Sequence, residues 1–419
     1  MKTLFEWLRW QEKLHPSTID LGLDRMRRTL ARLGWQQPAC PVITVGGTNG
    51  KGSTVALTSR ILAEAGYRVG TFTSPHLLRY NERIVLDGRE VADESLVAAF
   101  ERIDAARGED TLTFFEFNTL AALLIFDTAG VDAMVLEVGL GGRLDSVNTV
   151  DADVAIVTSI SLDHMDWLGS DVESIGREKA GIFRAARPAI FGSRDMPASI
   201  AEVAQQLGTP LHRLGRDFDW KAEMERWSWR GMKTTYEDLP RPALIGDLQF
   251  DNASAVLAAL ECLSTRLPVT RDAVERGLHT VTLPGRFQVT QRDGIEWILD
   301  VAHNPAAAQA LAGQLAARRA SGRTLAVCGI LGDKDIQGVA GALSGAFDAW
   351  IVVGLDSPRA VPLNELSQRL ISAGANVVAT ADSVASGCEI AQTMARTGDR
   401  VVAFGSFLTV GPALEWLRR

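Results

Sequence analysis

Thr44-Val-Gly-Gly-Thr-Asn-Gly-Lys-Gly-Ser-Thr54 is a glycine loop with a strand pattern before it and a helix pattern after it. Residues 41–45 form an apolar run that reads as a buried strand, and residues 54–65 set apolar side chains at helical spacing. Gly46, Gly47, Gly50 and Gly52 let the backbone turn tightly. They aim several N–H groups at one anion, at the positive end of the helix. Lys51 adds a point charge for β- and γ-phosphates, and Ser53 or Thr54 adds a hydroxyl for Mg²⁺. In the strict P-loop a Ser or Thr follows Lys directly, whereas here Gly52 intervenes. Strand, loop and helix together predict a nucleotide triphosphate site.

At 419 residues the chain has the length for two or three domains with real cores. A net charge of −8 argues against nucleic acid or an anionic membrane as the main partner. No apolar run reaches the length of a membrane span. Residues 1–13 mix Leu4, Phe5, Trp7, Leu8 and Trp10 with charges, which predicts a helix and not a signal peptide. Cys40, Cys262, Cys328 and Cys388 lie far apart without a CxxC pair, as expected of buried thiols in a reducing cytoplasm. The expectation is a cytoplasmic protein, monomeric by default, acting on small molecules.

Strand and helix patterns alternate outward from the loop. Residues 68–73 read as a short strand, 93–106 as a helix, and 111–117 as the lead into a long apolar helix that runs to residue 128. Two further strands follow at 131–138 and 154–160. Such alternation predicts a parallel sheet covered on both faces. Residues 220–239, with Trp227, Trp229 and Tyr236 among charges, read as antiparallel hairpins decorating that domain. Val281-Thr-Leu-Pro-Gly-Arg-Phe287 punctuates the chain. A second strand–helix series then runs through 295–301, 324–330, 350–354, 376–380 and 401–404. The expected class is α/β: a P-loop-containing parallel-sheet ATPase domain over residues 1–284, then a smaller doubly wound α/β domain over 285–419. A ligand cleft is expected between them, where strand ends of both sheets meet.

Chemistry-bearing side chains gather at those strand ends. Glu137 closes an apolar run beside Gly139, Gly141 and Gly142, where a Walker-B-type metal ligand belongs, although an acidic turn residue would look the same. Ser161-Leu-Asp-His-Met-Asp166 presents His164 at the next strand end, as a ligand, a proton carrier or a solvated loop residue. Ser74 sits at a third, so Ser74, Glu137 and His164 are candidate Mg²⁺ ligands. The imidazole is the unusual member, because Mg²⁺ prefers oxygen. Lys179, within Ser174-Ile-Gly-Arg-Glu-Lys-Ala-Gly-Ile-Phe183, has the pattern of a solvated helix lysine. In the second series Asp300, His303 and Asn304 follow one strand, and 329–335 and Gly405-Ser-Phe407 end two others. Any of these taken singly would also serve as a turn former.

These strings together resemble the bacterial bifunctional dihydrofolate synthase/folylpolyglutamate synthase family of the Mur ligase superfamily, over essentially the whole chain. The resemblance rests on Thr18-Ile-Asp-Leu-Gly-Leu23, Gly47-Thr-Asn-Gly-Lys-Gly-Ser-Thr54, Thr73-Ser-Pro-His-Leu77 and Leu136-Glu-Val-Gly-Leu-Gly-Gly-Arg-Leu-Asp145. It continues through Ser161-Leu-Asp-His-Met-Asp-Trp-Leu-Gly169, Gly176-Arg-Glu-Lys-Ala-Gly-Ile-Phe183, Leu283-Pro-Gly-Arg-Phe-Gln288 and Asp300-Val-Ala-His-Asn-Pro305. The inserted Gly52 belongs to this family's version of the loop. The resemblance implies an ATP site at Asn49, Gly50, Lys51 and Gly52, with Ser53 beside them, completed by Asn252, Arg286 and Asp300. It implies Mg²⁺ on Ser74, Glu137 and His164, and a carbamylated Lys179 formed with CO₂, contrary to that residue's solvated pattern. Ile19, Asp20, Leu21 and Gly22, then Thr113, Phe114, Phe115 and Glu116, then Leu144, Asp145 and Ser146 match segments that hold the pteroate part of the substrate. His303 and Ser406 are candidates for contacting L-glutamate.

The implied reaction is ATP-dependent amide formation through an acyl phosphate, with dihydropteroate, folates and L-glutamate as substrates. Lys51 would neutralise charge on the transferring group. One rival is a Mur-type ligase of cell-wall precursors, but only residues 1–40 precede the P-loop strand pattern, too few for the extra uridine-nucleotide domain those enzymes carry. A second rival, a nucleotide-driven switch, gives no role to the polar strand ends of the second domain. A third is a monofunctional folylpolyglutamate synthase.

Overall fold

The computed structural model describes residues 2–419. Its first sheet contains β1 (Val42–Gly46), β2 (Val69–Phe72), β3 (Ile84–Leu86), β4 (Arg89–Glu90), β5 (Ala133–Glu137), β6 (Val154–Val157), β7 (Ala189–Phe191) and β8 (Leu211–Arg213), in the order β4-β3-β2-β5-β1-β6-β7-β8. From β2 to β8 that order is parallel. The β3–β4 hairpin adds antiparallel at one edge, which the sequence pattern had not indicated. The parallel strands are apolar on both faces because helices cover both. Val42, Phe72, Leu136 and Val157 face one layer, while Ile43, Val45, Val135 and Ile156 face the other.

Two element boundaries differ from expectation in ways that shape the site. The loop's helix runs Lys51–Glu64, so it starts at Lys51 and not at residue 54. Gly50 precedes it at φ 89°, and a Cβ there would stand 2.6 Å from Asn252 Oδ1, so only glycine fits. β6 ends at Val157, and Thr158–Ile160 leave the sheet. Thr158 Oγ1 then donates to the Asn49 carbonyl at 2.6 Å, tying the next strand's end to the phosphate loop.

The Trp-rich stretch forms the expected antiparallel unit from β9 (Asp219–Ala222), β10 (Arg226–Arg230) and β11 (Thr235–Pro240). In β10, Trp227 and Trp229 point into the core while Arg226 and Arg230 stay exposed, the period-2 pattern of a half-buried strand. Trp220 stacks on Phe250 of the helix Leu248–Cys262, with ring centroids 4.9 Å apart.

A second sheet contains β12 (Gln288–Arg292), β13 (Ile295–Asp300), β14 (Thr324–Cys328), β15 (Ala349–Val353), β16 (Val377–Ala381) and β17 (Arg400–Phe404), in the order β12-β13-β17-β14-β15-β16. It is parallel apart from β12, an antiparallel edge strand that the sequence reading had missed. Apolar clusters lie on both of its faces. The C-terminal strand ends of both sheets border one cleft.

Candidate active site

Strand register assembles the site. Val45 of β1 pairs with Glu137 of β5 and with Ile156 of β6, and Phe72 of β2 pairs with Leu136. The segments after β1, β2, β5 and β6 therefore emerge side by side, with the phosphate loop between them. They line a cavity of about 570 Å³ whose opposite wall comes from the second sheet. Asn49, Gly50, Lys51, Gly52, Ser53, Ser74, Glu137, His164, Lys179, Asn252, Arg286, Asp300, His303 and Ser406 all border it.

Lys51 Nζ donates to the carbonyls of Gly47 and Thr48, and Lys179 Nζ donates to the same Gly47 carbonyl at 2.9 Å. Burial lowers the pKa of Lys51. Lys179 is 5% exposed, which corrects its reading as a solvated helix residue. The cause is close backbone packing: a Cβ on Gly142 would stand 2.8 Å from the Glu178 carbonyl, so the 139–143 loop lies against the helix Val172–Ala180 and turns Lys179 inward. Burial, with Lys51 adding like charge, brings the Lys179 amine down to about 7.

The proposed metal ligands fit a divalent cation. Burial raises the Glu137 carboxyl, against the pull of Lys51; Oε2 accepts from the Ser74 N–H at 3.1 Å, and Oε1 has no partner among the described residues. Burial takes His164 down to about 4, which keeps the imidazole in its neutral, ligating form. His164 also sits at φ 53°, a backbone strain of the kind that collects at functional sites. Among the described residues no three His, Cys, Asp or Glu side chains cluster for a metal. A cation here would thus draw on the serine hydroxyl, water and phosphate oxygens, as Mg²⁺ does.

The second domain reaches across the cleft. Asn49 and Asn304 exchange amide hydrogen bonds at 3.2 and 3.0 Å. Asp163 Oδ1 accepts from Lys334 Nζ at 2.7 Å, and Oδ2 lies 3.7 Å from His303 Nε2. Burial acts to raise Asp163, but His303, His164 and Lys334 outweigh it and hold the carboxyl well below the usual range. Asp300 accepts from the backbone N–H groups of Phe287 and Ala302, and Arg286 lies over the Phe407 ring. His303 Nδ1 donates to the Val301 carbonyl, which leaves Nε2 toward the cleft. Ser406 caps the helix Phe407–Leu417.

The three segments matched to pteroate binding do not line this cavity. Asp20 pairs with Arg25 at 2.6 Å, and Arg25 with Glu116 at 3.1 Å, while Thr113 and Glu116 form a capping box for the helix Phe114–Ala129. Asp145 accepts N–H bonds from Gly139, Leu140 and Val147, and burial pushes it up to about 6. Ser146 bonds Thr119. Phe115 backs Gly139 of the cavity wall: a Cβ on that glycine would meet the ring at 2.5 Å. Gly22 and Leu144 border a neighbouring depression. Sequence reasoning gave no individual role to His76, Arg83 or Lys334, which also line the cavity. For Lys334 the strand-end position was the available signal.

A phosphate loop in a parallel sheet, facing a second α/β domain across a shared cleft, is the architecture of a Mur-type ATP-dependent ligase. The Mur ligase middle domain matches residues 45–260, and the Mur ligase glutamate ligase domain matches residues 285–407. The chain is 45% identical to the dihydrofolate synthase/folylpolyglutamate synthase of Escherichia coli, covering 98% of this chain and 95% of that one. Its fold superposes on the solved E. coli protein in complex with DHPP and ADP with a TM-score of 0.94, at 45% identity, covering 100% and 98% of the two chains. A solved bifunctional folylpolyglutamate synthase/dihydrofolate synthase with Mn, AMPPNP and L-glutamate bound gives 0.91 at 43% identity, covering 100% and 99%. The chain belongs to the dihydrofolate synthase/folylpolyglutamate synthase family of Mur ligases.

Proposed function

We propose that the chain performs both ligations of its family, adding L-glutamate to dihydropteroate and to tetrahydrofolate. It is an ATP-dependent ligase that joins glutamate to folates. The observation that carries the reading is the single cavity that joins the phosphate loop, the Ser74–Glu137–His164 group and the Asp300–His303–Ser406 wall. A carboxylate is a poor acyl donor, so the acceptor carboxylate first attacks the γ-phosphorus and ADP departs. The glutamate amine then attacks the acyl carbon and phosphate leaves.

Gly50 and its helix N-terminus, with Lys51, cradle the phosphates, while Asn252, Arg286 and Asp300 complete the nucleotide site. Ser74, Glu137 and His164 would hold Mg²⁺, which when bound neutralises charge on the β- and γ-phosphates. His303 and Ser406 orient the glutamate. The bridges from Asp163 to Lys334 and His303 keep the cleft closed, so water is excluded from the acyl phosphate. Lys179 is carbamylated: a neutral amine takes up CO₂ and releases a proton. At pKa about 7 half the amine is neutral at pH 7, against roughly one in a few thousand for an ordinary lysine. Residues 19–22, 113–116 and 144–146 are the segments assigned to the pteroate, and they bear on the cavity from behind, Phe115 backing Gly139 and Asp145 holding the Gly139 and Leu140 N–H groups.

We place the domain boundary between residues 284 and 285 and take the protein as a cytoplasmic monomer acting on small molecules. Among the described residues no helix is long and apolar enough to cross a membrane. The test is to incubate the protein with ATP, Mg²⁺, L-glutamate and either 7,8-dihydropteroate or tetrahydrofolate, and to follow products by mass. Glutamate on both acceptors is the expected result. Addition to tetrahydrofolate alone would leave a monofunctional folylpolyglutamate synthase.

A further inference from the structure

We propose that Arg83 is the anchor for the carboxylate of the pteroate or folate acceptor, an inference that rests on the ligase reading above. Arg83 ends the 3₁₀ turn Tyr80–Arg83 just before β3, is 8% exposed and lines the cavity. Its Nε donates to His76 Nδ1 at 2.8 Å. Its two terminal nitrogens have no hydrogen-bond or ion-pair partner among the described residues, and Glu137 and Glu82 act on it only from a distance. They are also not sealed in protein, so they open on the cavity.

A buried guanidinium is normally paired, because desolvating it without a partner is costly. Here the surroundings hold it but put no carboxylate in contact with its terminal nitrogens, Glu137 and Glu82 acting only from a distance. His76 fixes one edge, and the rings of Tyr80 and Phe114 lie 5.9 and 5.5 Å from the guanidinium carbon. The free edge presents parallel N–H donors, the geometry that matches a planar carboxylate.

Position favours the acceptor over the nucleotide. The phosphates have Lys51, the Gly50 helix start and Arg286 on the β1 side of the cavity. Arg83 lies on the β2–β3 side of the same cavity, against the Phe114 ring. Two carboxylates share this chemistry: the one that reacts, and the spectator α-carboxylate of a glutamyl folate. Dihydropteroate has only the first.

The experiment measures KM for dihydropteroate, tetrahydrofolate and ATP in the native enzyme, Arg83→Met and Arg83→Lys, with dihydropteroate binding read independently by fluorescence. Native turnover on these acceptors secures the ligase reading first; its absence would overturn that reading and the proposal with it. Arg83→Met is expected to raise the acceptor KM about tenfold or more, the loss of a charge-assisted pair, with ATP KM unchanged. A loss with both acceptors assigns the reacting carboxylate, and a loss with tetrahydrofolate alone assigns the α-carboxylate. Arg83→Lys keeps the buried charge without the fork and is expected to fall between, which also serves if Arg83→Met does not fold. Acceptor KM and binding within about twofold of native, or an effect confined to ATP, would overturn the proposal.

Discussion

Asp163→Asn tests whether one buried carboxylate holds the two domains together. Asp163 follows β6 of the first sheet; beside its neighbour His164, its partners Lys334, His303 and Asn304 come from the second domain. The side chains of Asp163 and Lys334 are 10% and 6% exposed, so the pair is not a surface ion pair of negligible worth. Asparagine keeps the shape but strands the Lys334 ammonium, with Asp333 at 3.9 Å as its remaining acidic neighbour. Removing one partner of a buried pair costs about 3–5 kcal/mol. Opening the cleft lets water solvate Lys334, so the free energy of opening caps the loss. The expected result is a shift toward the open form by about a hundredfold or more, at 1.4 kcal/mol per decade. Small-angle scattering reports the opening, and the glutamate KM reports the lost closure. Lys334→Met in the Asp163→Asn background removes the stranded charge and is expected to recover most of the closed form. Native-like scattering and glutamate KM in Asp163→Asn, or no recovery in the double variant, would refute the latch.

Gly50→Ala forces a Cβ toward Asn252 Oδ1 at φ 89°, so ATP affinity measured by calorimetry is expected to fall by more than about tenfold at a stability cost of about 1–2 kcal/mol; native-like ATP binding would refute this role for the turn. The folded pKa of Lys179 lies near 7 against 10.5 for a free lysine, so between those values the unfolded chain binds the extra proton and native stability rises with pH. In CO₂-depleted buffer, Lys179→Met is therefore expected to stabilise more at pH 7 than at pH 9 by urea midpoint, and a pH-independent difference would sink the reading. Trp229→Ala empties a site that is 1% exposed and is expected to cost about 3–5 kcal/mol in urea denaturation, while the folded enzyme keeps its kcat.

What could be read from the sequence was local, or followed a rule of the fold. The phosphate loop declared itself by spacing, and Glu137 and Asp300 by closing apolar strand runs, because parallel sheets put ligands at their C-terminal ends. The stretch around Trp227 and Trp229 declared its antiparallel strands by alternation. The pairs that close the site are not local: Asn49 meets Asn304 across 255 positions and Asp163 meets Lys334 across 171, and no periodicity encodes such a contact. Lys179 shows a further difficulty. Its helix places charged Arg177 and Glu178 beside it, so pattern alone sends it to solvent. Gly142 and Gly181 reverse this, since a side chain on either would collide with the facing backbone and push the 139–143 loop away. The lysine's chemistry is thus set by two glycines that lack any functional group, and the chain expresses it only once those backbones touch. Arg83 follows the same logic from the other direction: its sequence setting, Asn81-Glu-Arg-Ile84, is that of an ordinary surface turn. Its free terminal nitrogens exist only because His76, Tyr80 and Phe114 close around it while the neighbouring Glu82 spends its carboxylate on the backbone N–H groups of Leu77, Leu78 and Arg79.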